Sequence, residues 1–202
     1  VYNPKTDPHL MARYDVTNIA RKKTNKAALQ KKMGLPEDEP VFLMGMVSRM
    51  TDQKGFDLIA YGLDEMLSSN NIQFVVAGTG EERYESMLHH FADKYPDKMS
   101  VHIGYSEEIA HQIYGSCDAF LMPSLFEPCG LSQLMSMRYG TIPIVRETGG
   151  LRDTVEPYNE YEKTGYGFSF ANYNAHEMLA AIRYAKKVYE TDKKSWNGLI
   201  AV

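Results

Sequence analysis

Cysteine is scarce in this chain of 202 residues: Cys117 and Cys129 are the only two. A disulfide framework and a four-thiolate zinc site are both excluded, and so low a count leans toward a reducing compartment. Long apolar runs are missing as well. The longest, Val41–Val47, is seven residues, against the roughly 20 that a membrane-crossing helix needs, so neither a transmembrane helix nor a membrane partner is expected. Nor is there an excess of positive charge. Lys and Arg number 22 against 26 Asp and Glu, a net charge of −4, which argues against gripping nucleic acid through bulk charge. The six histidines are badly spaced for metal: no His-Glu-x-x-His occurs, and His89 and His90 are consecutive, so they diverge on a helix. No Asp-x-Asp pair is available to hold a divalent ion against a diphosphate. No metal site is expected.

What remains is an ordinary globular balance, 44% hydrophobic and 24% charged residues, enough to bury a core. From residue 41 short apolar runs alternate with helical patterns. Val41–Ser48, Gln73–Ala77, Val101–Gly104, Ala119–Met122, Ile142–Val145 and Gly167–Phe170 read as strands. They are rich in Val, Ile, Phe and Met and mostly do not alternate with polar residues, as expected of strands covered on both faces of a parallel sheet. Between them Phe56–Ser69, Glu81–Tyr95, Ser106–Gly115, Gly130–Tyr139 and a weaker turn near Leu151–Val155 read as helices, and Ala175–Thr191 follows the last strand. The pattern predicts an α/β fold with a doubly wound, mostly parallel, six-stranded Rossmann-like sheet. The first forty residues break the rhythm: Val1–Tyr14 is polar and extended, and Arg21–Met33 is a helix stopped by Gly34. Because the first residue is Val1 rather than Met, the chain reads as an excised segment and its start says nothing of targeting.

Open parallel sheets bind ligands beyond the C-terminal ends of their strands, where helix N-termini also point. The first strand runs into Ser48-Arg49-Met50-Thr51-Asp52-Gln53-Lys54-Gly55, which places two cations five residues apart just before a helix. A guanidinium fork and a movable ammonium suit neighbouring phosphates, although the same loop, taken alone, also fits a solvated surface loop. The fourth strand ends in Pro123-Ser124-Leu125-Phe126-Glu127-Pro128-Cys129-Gly130-Leu131-Ser132-Gln133. There Glu127 lies on backbone stiffened by two prolines, and Gly130, Leu131 and Ser132 offer unpaired N–H groups at a helix start. Tyr105, one residue past the third strand and after Gly104, offers a face for a flat base. Gly78-Thr79-Gly80 and Thr148-Gly149-Gly150 complete neither a dinucleotide fingerprint nor a Walker loop and read as turn glycines. Both cysteines read as packing residues.

Together these segments are no longer anonymous. Ser48–Leu58, Glu127–Leu134, Met137–Pro143 and Glu147–Val155 closely resemble signatures of bacterial glycogen synthases and plant starch synthases. Tyr2–Pro8 resembles the stretch where that family's chain enters its second domain. The resemblance implies the two-domain GT-B glycosyltransferase fold, of which this chain is similar to the C-terminal half alone. Residues 1–40 would be a polar arm and helix entering from a missing N-terminal domain, and residues 41–202 a nucleotide-sugar-binding, Rossmann-like domain. The family's N-terminal Lys-x-Gly-Gly-Leu motif is absent.

By the same resemblance, Arg49 and Lys54 match the pair that grips the donor diphosphate, and Glu127 the acid beside the transferred glucose. Gly130, Leu131 and Ser132 match backbone donors to the distal phosphate, Gly104 and Tyr105 the wall around the base, and Cys129 a residue of shape alone. Sucrose-synthase-like relatives carry a second Glu eight positions after the first, where this chain has Met135. The implied reaction is transfer of glucose from ADP-glucose to the non-reducing end of an α-1,4-glucan with retention, without metal or other cofactor. The implied compartment is the cytoplasm of a bacterium or the stroma of a plastid. Alternatives are a retaining GT-B transferase with another acceptor, a non-catalytic nucleotide-binding module, or a regulatory piece without ligand.

Overall fold

The structure, a computed structural model, describes residues 2–200. Val1 at the head of the expected arm and residues 201 and 202 at the end of the expected domain lie outside the described residues. Six strands form one sheet: β1 (Phe42–Val47), β2 (Ile72–Gly78), β3 (Met99–Ile103), β4 (Ala119–Met122), β5 (Ile142–Arg146) and β6 (Phe168–Phe170). Their order is β3-β2-β1-β4-β5-β6, and every adjacent pair is parallel. Each expected strand is present to within two residues at either end.

The connections are helices α1 (Lys22–Lys32), α2 (Phe56–Ser69), α3 (Glu82–Lys94), α4 (Glu107–Ser116), α5 (Ser132–Arg138), α6 (Gly149–Thr154), α7 (Ala175–Thr191) and α8 (Lys193–Ile200). Apolar residues cover both sides of the sheet. On one face Phe42, Met44, Phe74, Val76 and Leu121 meet α2, α3, α7 and α8. On the other Leu43, Val75, Phe120 and Val145 meet α1, α4, α5 and α6. Two-sided burial is the reason the strands read as continuous apolar runs. The weak turn near Leu151 is a full helical segment from Gly149, and α8 has no counterpart in the sequence reading. Trp196 on α8 is buried against Phe42, Phe168 and Tyr189.

The first forty residues pack closely on the rest. Asp7 is fully buried and accepts hydrogen bonds from the Tyr139 hydroxyl (2.5 Å) and from His111 Nδ1 (2.6 Å). The Tyr14 hydroxyl donates to the Tyr139 carbonyl at 2.5 Å, and the Tyr2 ring stacks on His111 with centroids 4.2 Å apart. A 3₁₀ turn, Val16–Arg21, joins this stretch to α1. Burial by itself raises the Asp7 carboxyl, but the hydrogen bonds from Tyr139 and His111 outweigh it and hold the group below the usual carboxylate range. Among the described residues no helix is long and apolar enough to cross a membrane.

Asp7→Ala would leave the Tyr139 hydroxyl and the His111 ring unpaired in the interior, at about 1–3 kcal/mol for each orphaned group. A loss of roughly 2–4 kcal/mol in urea denaturation is expected. Because the folded value lies below the unfolded one of about 3.9, the Asp7 contribution is complete above that pH and is lost as the pH falls through the lower folded value. Asp7→Asn is expected to flatten the acid limb of the stability curve over that window.

Candidate active site

β1 and β4 are neighbours in the middle of the sheet, yet the helix after β1 lies on one face and the helix after β4 on the other. The reversal of direction opens a crevice at the C-terminal ends of these two strands. A cavity of ≈ 190 Å³ occupies it, lined by Ser48, Arg49, Lys54, Ser124, Glu127 and the Gly130–Ser132 backbone, with β1 and β4 as its floor. Six of the eight residues singled out from sequence therefore meet at one place.

Lys54 closes a 3₁₀ turn (Asp52–Lys54), and its Nζ lies 2.7 Å from Glu127 Oε2. Glu127 is buried, with the Ser124 hydroxyl 3.3 Å from the same carboxylate oxygen. Arg49 is exposed at the rim and makes no ion pair among the described residues. No side chain caps the first turn of α5, and Gly130, Leu131 and Ser132 at its start line the cavity.

The two loops are fastened to each other through their backbones. Leu125 N–H donates to the Gln53 carbonyl at 2.9 Å. Gly55 has φ of +86°, and a Cβ there would stand 2.2 Å from the Pro123 carbonyl oxygen; only glycine lets the cationic loop come this close. On the other flank Gly150 N–H donates to the Glu127 carbonyl at 2.9 Å, and a Cβ on Gly150 would stand 2.0 Å from the Cys129 carbonyl oxygen. The Thr148-Gly149-Gly150 cluster is thus more than a turn: it abuts the loop that carries Glu127. From α5, the buried Gln133 side-chain amide donates to the Cys129 and Gly130 carbonyls. Nothing in sequence distinguished Gln133 from any polar residue on the first turn of a helix.

Gly104 and Tyr105 stand apart. They follow β3, with β2 between them and β1, and neither lines the cavity. Gly104 N–H bonds to the Gly78 carbonyl at 2.9 Å, and Tyr105 is 89% exposed. They share the rim of the sheet with the site without closing it. Cys129 is exposed on the Glu127 loop, whereas Cys117 is buried and its thiol is pushed up to about 12, chiefly by desolvation.

Asp7, His9 and His111 bring possible metal-ligand atoms within 4.8 Å of one another. They are not among the residues that line the cavity. The Asp7 carboxylate already accepts from Tyr139, from His111 and from the His9 N–H, so the cluster is accounted for as a hydrogen-bonded junction between the arm and α4. Its members come from separate stretches of chain, which is why spacing did not reveal it.

Comparisons with known proteins bear on the family and the fold. The model of the family "Glycosyl transferases group 1" matches residues 25–195. The glycogen synthase of Lachnospira eligens is 62% identical over 200 residues, spanning 98% of this chain and 42% of that protein. The glycogen synthase of Geobacillus thermodenitrificans is 57% identical over 188 residues, spanning 93% of this chain and 39% of that one. Among solved structures, the catalytic domain of starch synthase IV from Arabidopsis thaliana, bound to ADP and acarbose, superposes with a TM-score of 0.89 at 32% identity. That match covers 99% of this chain and 42% of the other. The fold is accordingly one half of a GT-B arrangement, and the chain spans about two fifths of the length of the relatives it matches.

Two glycines separate backbone strain from contact at the site. Gly34 has φ of +74° with nothing within 4 Å of where a Cβ would stand, whereas Gly55 at +86° faces the Pro123 carbonyl. Gly34→Ala is expected to cost about 1 kcal/mol, from the left-handed backbone alone. Gly55→Ala is expected to cost about 2–3 kcal/mol, because the two loops must also separate. Denaturant titration of both variants reads the difference.

Proposed function

This chain belongs to the glycosyl transferases group 1 family, and we propose that it is the donor-binding half of a retaining glucosyltransferase. The donor is ADP-glucose and the acceptor the non-reducing end of an α-1,4-glucan. The ADP bound to the starch synthase IV structure and the glycogen synthase relatives support this choice of donor and acceptor. The observation that carries the reading is the meeting of Arg49, Lys54 and Glu127 around one cavity at the crevice between β1 and β4.

Breaking the bond from glucose C1 to the diphosphate oxygen sends both electrons of that bond onto the leaving phosphate while positive charge builds at C1. Arg49, Lys54 and the start of α5 line the cavity where the negative charge would grow, and Lys54 is held there in advance by Glu127. Lys54 has the Glu127 carboxylate as its partner. A diphosphate entering the cavity would give it a second anion, leaving Glu127 to hold sugar hydroxyls and to shape the charge beside C1. Two cations, Arg49 and Lys54, would supply the countercharge that a divalent ion supplies in other transferases, so the reaction is proposed as metal-independent. The acceptor side of the cleft belongs to an N-terminal domain outside this chain. Residues 2–40 would be the arm arriving from it. The compartment proposed with this reaction is the cytoplasm for a bacterial chain and the plastid stroma for a plant one.

A charge-assisted contact contributes about 1.5–3 kcal/mol, which sets the scale of the test. Calorimetry is expected to show ADP binding to the 202-residue chain at micromolar to low-millimolar affinity, weakened roughly 10- to 100-fold in Arg49→Ala. Absence of ADP binding would sink the proposal. With half the cleft absent, the chain alone is expected to elongate no glucan, and chain growth measured with labelled ADP-glucose would contradict its assignment as the donor half.

A further inference from the structure

Resting on that reading of the site, we propose that Tyr173 is a positioning residue for the donor diphosphate, acting as a brace between the loop that carries Lys54 and the loop that carries Glu127. Tyr173 lies between β6 and α7, outside every segment that suggested the function, and it does not line the cavity.

Its hydroxyl faces two acceptors, the Asp57 carboxylate at the start of α2 and, at 3.0 Å, the Asp52 carbonyl in the turn that ends at Lys54. Burial, reinforced by the hydrogen bond to Asp57, raises the phenol well above its ordinary value, so it remains a donor at any physiological pH. The ring lies beneath the Arg146 guanidinium, 5.5 Å from ring centroid to Cζ. Arg146 in turn donates from Nε to the Ser124 carbonyl at 2.8 Å, from Nη2 to the Leu125 carbonyl, and from Nη1 to the Ala171 carbonyl at 3.1 Å. One continuous path therefore runs from the Lys54 turn through Tyr173 and Arg146 to the residues just before Glu127.

The far side of the same turn is held as well. Arg83 donates to both Asp52 carboxylate oxygens at 3.0 Å, and the Tyr84 hydroxyl donates to that carboxylate. A turn of three residues without a side-chain cap has little rigidity of its own. Lys54 carries its charge on a four-carbon stem, so the direction it takes depends on where the turn is fixed. Tyr173 is partly buried and packs at the edge of the core, while α7 has its own cap in Asn174, whose side chain accepts from Glu177 N–H at 2.8 Å. Its hydroxyl is therefore not needed to start α7, and a hydroxyl that ties one loop of the site to the ring under Arg146 is placed to set the separation of the two loops.

The test compares ADP with AMP on the 202-residue chain, since the second phosphate is what Arg49 and Lys54 are there to hold. Calorimetry and thermal melts would be run on wild type, Lys54→Ala, Tyr173→Phe and Tyr173→Ala. The expected result is a wild-type preference for ADP over AMP that Lys54→Ala reduces, Arg49 still holding part of it. Tyr173→Phe, which keeps the ring under Arg146, should weaken ADP binding about three- to tenfold, the range for one hydrogen bond, with AMP affinity and melting temperature unchanged. Tyr173→Ala should weaken ADP further.

Two results would overturn the brace while leaving the site intact: Tyr173→Phe binding ADP as wild type does, or Tyr173→Phe losing ADP and AMP equally with a lowered melting temperature. A wild-type chain that shows no preference for ADP would overturn the reading of the site and the brace together.

Discussion

The approach of Lys54 to Glu127 is the constraint on which the rest of the site depends, and it is a consequence of winding. β1 and β4 are adjacent, but the chain leaves β1 toward one face of the sheet and β4 toward the other. The loops that follow must therefore diverge beyond the strand ends, leaving a crevice whose two walls are far apart in sequence. Divergence would ordinarily hold the walls apart. Here Gly55 removes the Cβ that would keep the cationic loop off Pro123, and the Leu125 N–H bond to the Gln53 carbonyl fastens the walls below the cavity. The ammonium and the carboxylate then meet at 2.7 Å. The pair is largely withdrawn from water, its side chains keeping 21% and 11% of their exposure, so desolvation offsets much of its attraction and it adds modestly to stability. Its consequence is positional, in that a cation and an acid are both held at the mouth before any ligand arrives.

Much of this was legible in the amino-acid sequence because two-sided burial leaves a strong trace. Strands such as Phe42–Val47 and Ala119–Met122 have no polar face to interrupt them, and the residues that end them are those that topology sends to the ligand edge. Where apolar pattern did not carry the information, the reading failed. α1 buries Asn25, Lys26 and Gln30 beside Leu29. Asn25 exchanges hydrogen bonds with the Ala12 backbone, Lys26 meets Asp118 at 2.8 Å, and Gln30 donates to Gln73 at 2.9 Å. A face made of satisfied polar groups cannot be told from a solvated one by periodicity. The arm conceals its anchor in the same way, because Asp7 looks like any polar residue until Tyr139 and His111 are folded onto it.

The site itself divides along the same line. Arg49, Lys54 and Glu127 were visible because charge at a strand end is conspicuous. Tyr173, Arg146 and Gln133 were not, because their work is done against backbone carbonyls of distant loops, and no local pattern announces a partner that is a carbonyl. Gly149 and Gly150 were seen but undervalued. Their lack of a side chain serves an approach to Glu127 and Cys129 more than a bend. Gly104 and Tyr105 stand on the same rim outside the cavity, because β2 lies between β3 and β1.

Lysine has two different occupations in this molecule, and the direction of the sheet decides which. At the edge where strands begin, the helices are ending, and their last carbonyls lack partners. Lys22 donates to the Cys117 carbonyl at the end of α4, Lys98 to the Leu67 carbonyl (2.7 Å) and the Asn70 carbonyl (3.2 Å) at the end of α2, and Lys26 to the carbonyls of Glu39 and Val41 ahead of β1. Lys22 is so far desolvated there that its pKa is lowered to about 8. This edge also holds a cavity of ≈ 620 Å³, much larger than the one beside Glu127, yet two of the ammoniums that line it are already engaged by backbone. At the opposite edge the helices are beginning and present N–H groups, so only loop carbonyls are available to a cation. Arg146 takes three of them, Lys54 takes a carboxylate, and Arg49 stands open. Size alone would choose the larger cavity. What marks the smaller one is convergence: Arg49, Lys54 and Glu127 come from two loops far apart in sequence to one crevice at the ligand edge of the sheet.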